Sequence, residues 1–382
     1  MDLLTAATSL LSHPAVGDRE SVVRTLVDEQ SRITLEGVVG DLQEEMGVAA
    51  PELLGVMTEF VGLGGGWSPP FGAFEAAVRG RAHESLVAAA SQLAILAHDR
   101  GVAGRWHASF NAPVCLRLGD TTVVNLTEAS VEAGDDGYEV RGQTAEGERG
   151  RWVVCRNEGP DNSLLRSVGF GGLQVRLSSM QDARSVRGIE FLTREPWNLS
   201  TDLARAEREL AAAEELLRCH SPMFLSWVAG VFRHMAFTDP GRGLMESGSS
   251  RELPGFVHVS HGDPLALAEM LVHECSHQYY YLATRAGSVD DGTDTTLYWS
   301  PVKQTGRPIA NILLAYHAFG NVVLLMRELL ASGAGPRNAI EANEADVVQQ
   351  LRQLQQGLET TRALTETGLG LYQPLRDALR LV

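Results

Sequence analysis

The run LVHECSHQYYY, residues 271–281, sets His273 and His277 four apart with Glu274 beside the first, inside an otherwise apolar stretch. Four residues of helix turn through about 400° and rise roughly 6 Å, so both imidazoles leave one face and can grip one divalent ion. Glu274 lies one position round, near such an ion without being forced onto it. In zinc peptidases a glutamate so placed is the general base toward metal-bound water. The competing reading is a pair of plain core or surface histidines. The setting favours the metal: Asp263 can cap the helix, Pro264 suits its first position, and the short strand GFVHVS precedes it.

Two imidazoles need a third ligand. The extended zinc pattern with a glycine and a third histidine is absent, since Tyr280 and Ala283 occupy those places. Glu328 in LLMRELL and Asp290, Asp291 and Asp294 in SVDDGTD are candidates. His317 is a better one: it is the only histidine after His277, and it sits in the apolar run NILLAYHAFGNVVLLMREL, where a lone polar ring requires a partner. A hydrogen-bonded core histidine is the alternative there. Three histidines, or two and a carboxylate, suit iron as well as zinc.

ELPGFVHVS, LAEMLVHECSHQYYY and LYWSPVKQTGRPIANILLAYHAFGNVVLL follow one another over roughly residues 245–330. This order of strand, HExxH helix, Trp-Ser-Pro turn, Arg-Pro pair and His-Ala-Phe element resembles the HExxH-type peptide β-hydroxylases. Those are iron(II)- and 2-oxoglutarate-dependent enzymes that modify ribosomally made peptides. The resemblance implies iron on His273, His277 and His317, with Arg307 meeting the distal carboxylate of 2-oxoglutarate through two charge-assisted hydrogen bonds. It also implies molecular oxygen as co-reactant and a precursor peptide hydroxylated at a side-chain β-carbon. Glu274 would then orient a ligand or a bound water. A zinc(II)-dependent peptidase with Glu274 as general base is the alternative, and a non-catalytic scaffold a third. GFVHVS is expected to offer an exposed edge to an extended peptide, with ESGSSRELPG as a mobile rim. Trp299 and Ser300 are possible pocket walls, and His258 and His261 are read as structural.

The elements that must position these groups follow a coarse pattern. Residues 1–105 read as helices broken by GLGGGWSPPFG, which matches neither nucleotide fingerprint and reads as a flexible connection. Residues 106–195 hold short Val-, Ile- and aromatic-rich segments between turns, among them RGRWVVCR, GGLQVRL and GIEFLT. Residues 196–382 return to helix and carry the HExxH segment. The expected fold is therefore α+β: mainly helical, with a strand-rich middle and a zincin-like metal-binding helix.

The 382 residues hold 48 acidic against 32 basic side chains, a net charge of −16 that opposes binding to nucleic acid or anionic lipid. No uninterrupted apolar run reaches the ~20 residues of a membrane span. The N-terminus lacks a basic start and an apolar core, so no signal peptide is expected. Four cysteines without C-x-x-C spacing fit reduced thiols in a cytoplasm.

Overall fold

The computed structural model describes residues 3–80, 83–118, 121–155, 167–178, 200, 202–239 and 246–381. The chain is 59% helix and 21% strand, an α+β fold with a strand-rich middle, as the pattern predicts. The expected strand GIEFLT lies outside the described residues.

Six helices open the chain: α1 (Leu3–Ser9), α2 (Arg19–Gly37), α3 (Val39–Met46), α4 (Ala50–Phe60), α5 (Pro69–Gly80) and α6 (His83–Asp99). The GLGGG break is a wide helical turn, Val61–Gly65, in which only Gly64 takes a left-handed backbone, at φ 79°. Four antiparallel strands follow in meander order: β1 (Gly104–Leu118), β2 (Thr121–Gly134), β3 (Gly137–Thr144) and β4 (Arg149–Cys155). Gly137 at the β2–β3 turn has no substitute. Its φ is 144°, and a Cβ there would fall 2.0 Å from the Val154 carbonyl oxygen.

A second sheet has the order β5-β6-β7-β9-β8, from Ser167–Phe170, Leu173–Ser178, His234–Thr238, Phe256–Ser260 and Ser247–Ser249 respectively. Its three inner strands are parallel, and β5 and β8 run antiparallel at the two edges. Helices α7 (Leu203–His220) and α8 (Pro222–Val231) connect β6 to β7. After β9 come the HExxH helix α9 (Pro264–Ala286), the hairpin β10–β11 (Tyr298–Ser300, Thr305–Arg307), and helices α10 (Ile309–Ser332), α11 (Arg337–Thr360) and α12 (Glu366–Leu379).

The hydrophobic cores cut across the expected boundaries near 105 and 195. One core joins α4, α5 and α6 to the first sheet through Phe60, Phe74, Leu93, Trp106, Leu126 and Val140. The other gathers the second sheet and the later helices, and it includes Leu11, Val23 and Val27 from the start of the chain. The reason is physical: an amphipathic helix must bury its stripe on whatever apolar face packs against it, which for α6 is the first sheet and for α1 and α2 is the later helices. The Glu75–Arg285 pair, 2.7 Å apart and nearly buried, and the bond from Trp67 Nε1 to the Val231 carbonyl tie the two cores together.

By length and composition α10 alone, among the described residues, could cross a membrane, although no uninterrupted apolar run in the sequence has the length of a span. Its apolarity serves the core, since 67% of that window is buried inside the protein.

Candidate metal centre

Helix α9 starts as its sequence predicts. Asp263 accepts a hydrogen bond from the Ala266 N–H at 3.0 Å and Pro264 takes the first helical position. Leu267, Leu271, Cys275, Tyr279 and Leu282 turn one side of the helix into the large core. Gln278 locks the helix to the chain entering β9: its Oε1 accepts the Gly255 N–H at 2.9 Å, and its amide group donates to nearby carbonyls. Tyr280 donates to the Ala310 carbonyl at 2.8 Å and fixes α9 against α10.

On the other side, His273, Glu274 and His277 each present a ligand atom, and these atoms lie within 4.8 Å of one another. The two imidazoles stand edge to face with centroids 4.7 Å apart. Phe319 of α10 packs edge-on against His273, and Tyr281, one turn further along α9, lies over His277. Burial lowers the pKa of both rings, that of His277 strongly, so both are neutral at pH 7 with a lone pair to give. His277 Nδ1 is buried without a hydrogen-bond partner among the described residues. A buried polar nitrogen left so is what a ligand-binding site displays.

Glu274 is 2% exposed, and each carboxylate oxygen accepts one serine hydroxyl from β8: Oε1 from Ser247 and Oε2 from Ser249, both at 2.7 Å. A carboxylate offers about four lone-pair directions, so the two serines orient Glu274 without exhausting it. The sequence reading passed over these serines as part of a mobile rim. In the structure they form the edge strand of the sheet. GFVHVS, expected at the edge, lies between β7 and β8. His258 on it is buried, and His261 is held by Glu209 at 2.7 Å and stacks on Phe237.

The cluster opens into a cavity of about 270 Å³ whose far wall carries Arg307, Asn311 and Lys303. Arg307 ends β11, and Lys303 sits in the turn of the same hairpin. Neither side chain makes an ion pair or hydrogen bond among the described residues. Lys303 is the only lysine in the chain, against 31 arginines, a singularity legible in the sequence and not used there. Ser300 lines the cavity and Trp299 does not; alternate residues of a strand face opposite ways, and Trp299 is 54% exposed.

His317 is not brought to this site. Its Nδ1 faces the Ser276 carbonyl oxygen at 3.0 Å, its Nε2 faces that of Leu11 at 2.9 Å, and the ring is fully buried. The expectation of a third imidazole ligand is corrected by helical phase. The residues of α10 that line the cavity are Asn311, Leu314, Ala315 and Phe319, one face at helical spacing. His317, two positions from Ala315, is rotated by about 200°. The carboxylates weighed as alternatives are also engaged elsewhere. Glu328 accepts from Ser221; Asp290 and Asp291 accept from their own loop, and Asp294 from Thr361 and Tyr298. The protein donor set at the cavity is therefore two imidazoles and the Glu274 carboxylate, a set that suits iron(II) or zinc. Comparison with protein-family models and with curated proteins finds no match to this chain.

Proposed function

We propose that the protein is a metal-dependent enzyme acting on peptides, an iron(II)- and 2-oxoglutarate-dependent hydroxylase. His273 and His277 would hold the ion, Glu274 would supply the carboxylate, and Arg307 would receive the distal carboxylate of 2-oxoglutarate. The observation that carries this reading is the cationic lining: a guanidinium unpaired among the described residues and the ammonium of the chain's sole lysine line the same cavity as the imidazoles. A peptidase has no general need of a paired cation beside its metal, whereas a dicarboxylic keto acid has two charges to place.

The chemistry such an ion supplies, when loaded with 2-oxoglutarate and dioxygen, is hydroxylation of an unactivated C–H bond. The chain's own groups do the rest. Arg307 can meet a carboxylate with two parallel N–H bonds, and Lys303 adds a point charge at the mouth. Leu314, Ala315 and Phe319 give the cavity a dry wall. Ser247 and Ser249 fix the Glu274 carboxylate, and so the angle at which it meets an ion. Strand β8 lies beside the cluster, and among the described residues no strand pairs with its outer side, so an extended peptide can add to it and bring a side-chain β-carbon to the cavity. The substrate class is a ribosomally made precursor peptide.

One observation favours a second reading, a zinc-dependent peptidase. Glu274 stands beside two imidazoles, where a general base toward metal-bound water would stand, and among the described residues no other carboxylate joins the cluster. Aerobic incubation with ferrous iron, 2-oxoglutarate and a candidate precursor peptide separates the two by mass. One added oxygen with succinate release supports the hydroxylase; two fragments formed without 2-oxoglutarate overturn it.

A further inference from the structure

A second cavity, about 410 Å³, lies where α4, α5, α6 and β1 of the first core meet β6 and the start of β7 in the second sheet. Its charge is opposite to that of the chain. In a protein of net charge −16, three arginines (Arg100, Arg117 and Arg233) and His234 line it, with Asp99 the only carboxylate among the described lining residues. Asp99 already accepts the Tyr138 hydroxyl at 2.8 Å. Arg117 is 7% exposed, and Gln92 holds its backbone from both sides, donating to the Arg117 carbonyl and accepting from the Arg117 N–H.

Arg233 is fixed in place by carbonyls at the end of α8. It donates to Ala229, Phe232 and Gly230, which uses three of a guanidinium's five N–H groups and leaves the rest unspent. Burial lowers its pKa, and the charge of Arg100 presses in the same direction. Arg100 reaches across the Phe60 ring, 5.2 Å from its centroid. Arg100 and Arg233 repel one another at the cavity, and an anion between them would relieve that repulsion. Ser68, Pro69 and Pro70 at the start of helix α5 also line the cavity. Phe60, Leu96 and Leu173 supply an apolar wall.

We infer that this cavity is a binding site for a small organic oxyanion, a phosphate monoester or carboxylate carrying a compact apolar group. The volume lies within the usual range of small-molecule sites, roughly 300–1,000 Å³. The site shares no lining residue with the metal cavity, so the inference stands apart from the proposed function.

Isothermal titration of the full chain with phenyl phosphate, phenylacetate and inorganic phosphate, at ionic strength matched with chloride, tests it. Saturable binding of phenyl phosphate or phenylacetate is expected, tighter than that of inorganic phosphate, and the stronger of the two organic ligands names the oxyanion class. Arg100→Met should weaken it by at least about tenfold, the worth of a charge-assisted hydrogen bond. Gln174 lines the cavity from an exposed position, so Gln174→Glu places a competing carboxylate there without touching the core. It should weaken binding in a protein that melts like the parent. No saturable heat from either organic anion, or binding unchanged in both variants, overturns the inference.

Discussion

The two sides of helix α9 put histidine to different uses. His273 and His277 face a polar cavity, half-buried, and the His277 Nδ1 has no hydrogen-bond partner among the described residues. His317 packs against the far side of the same helix, fully buried, each ring nitrogen against a backbone carbonyl oxygen. Asn321 completes that clasp by donating to the Ser12 and His317 carbonyls, so the pair ties the N-terminal turn to α10 and α9. A lone histidine on an apolar helix does need a partner, but a backbone carbonyl that accepts its one N–H meets that need without a metal ion.

The sharpest way to break this contrast is by alanine. His273→Ala and His277→Ala should each abolish stoichiometric iron or zinc binding, measured by elemental analysis, and reduce activity to background. His317→Ala should keep the metal and instead lower unfolding free energy by about 2–4 kcal/mol, the range for emptying a fully buried, hydrogen-bonded site. Loss of metal at unchanged stability in the last variant would put His317 back among the ligands.

Glu274→Gln comes next in size. It should reduce metal affinity by about 10–100-fold, because both a direct ligand and an orienting carboxylate act at that scale. Full zinc retention with complete loss of peptide cleavage would instead favour hydrolysis. On the opposite wall, Arg307→Gln should raise the KM for 2-oxoglutarate by about tenfold or more, and Arg307→Lys should not restore it. The sole lysine gives an independent probe. An amine-reactive reagent, mapped by peptide mass, should label Lys303 more slowly when 2-oxoglutarate is present, and Arg307→Gln should lose that protection. Equal rates with and without the keto acid would empty the cationic lining of its proposed role.

A pH dependence probes the other side of the comparison. Burial pushes the His317 pKa down to about 4, against an unfolded value near 6.5. Its folded pKa is depressed, so its neutral form contributes stability that is present above pH 6.5 and lost as pH falls toward 4. His317→Gln should flatten that part of the stability profile, by up to about 3 kcal/mol, in chemical unfolding followed from pH 7 to 4. Glu269 works in the other direction: burial raises it to about 7, so its contribution is intact below pH 4.5 and lost as pH rises through 7. Glu269→Gln should therefore gain stability relative to the parent at pH 8.

Much of α9 was legible residue by residue. Its cap at Asp263, its first-turn proline, the shared face of His273 and His277 and the apolar side toward the core all follow from local geometry, which acts over one or two turns. Arg307 and Ser300 were also named in advance as pocket groups. The role of Ser247 and Ser249 was not legible, because a three-residue edge strand has no periodicity to read. Nor was the partition of the strands into two sheets, since which strand pairs with which depends on contacts far apart in sequence.

By itself, the sequence determined the helix that presents two imidazoles and a carboxylate, the α+β class, and a net charge of −16. Those features depend on spacing and composition, and both survive any arrangement of the rest. Only the tertiary structure decided which side of α10 meets that helix. With it came the exclusion of His317, the meeting of Arg307 and Lys303 with the histidines, and the gathering of three arginines at a second cavity. Such facts depend on the rotation of one packed helix against another, and a rotation of half a turn changes every partner without changing a residue.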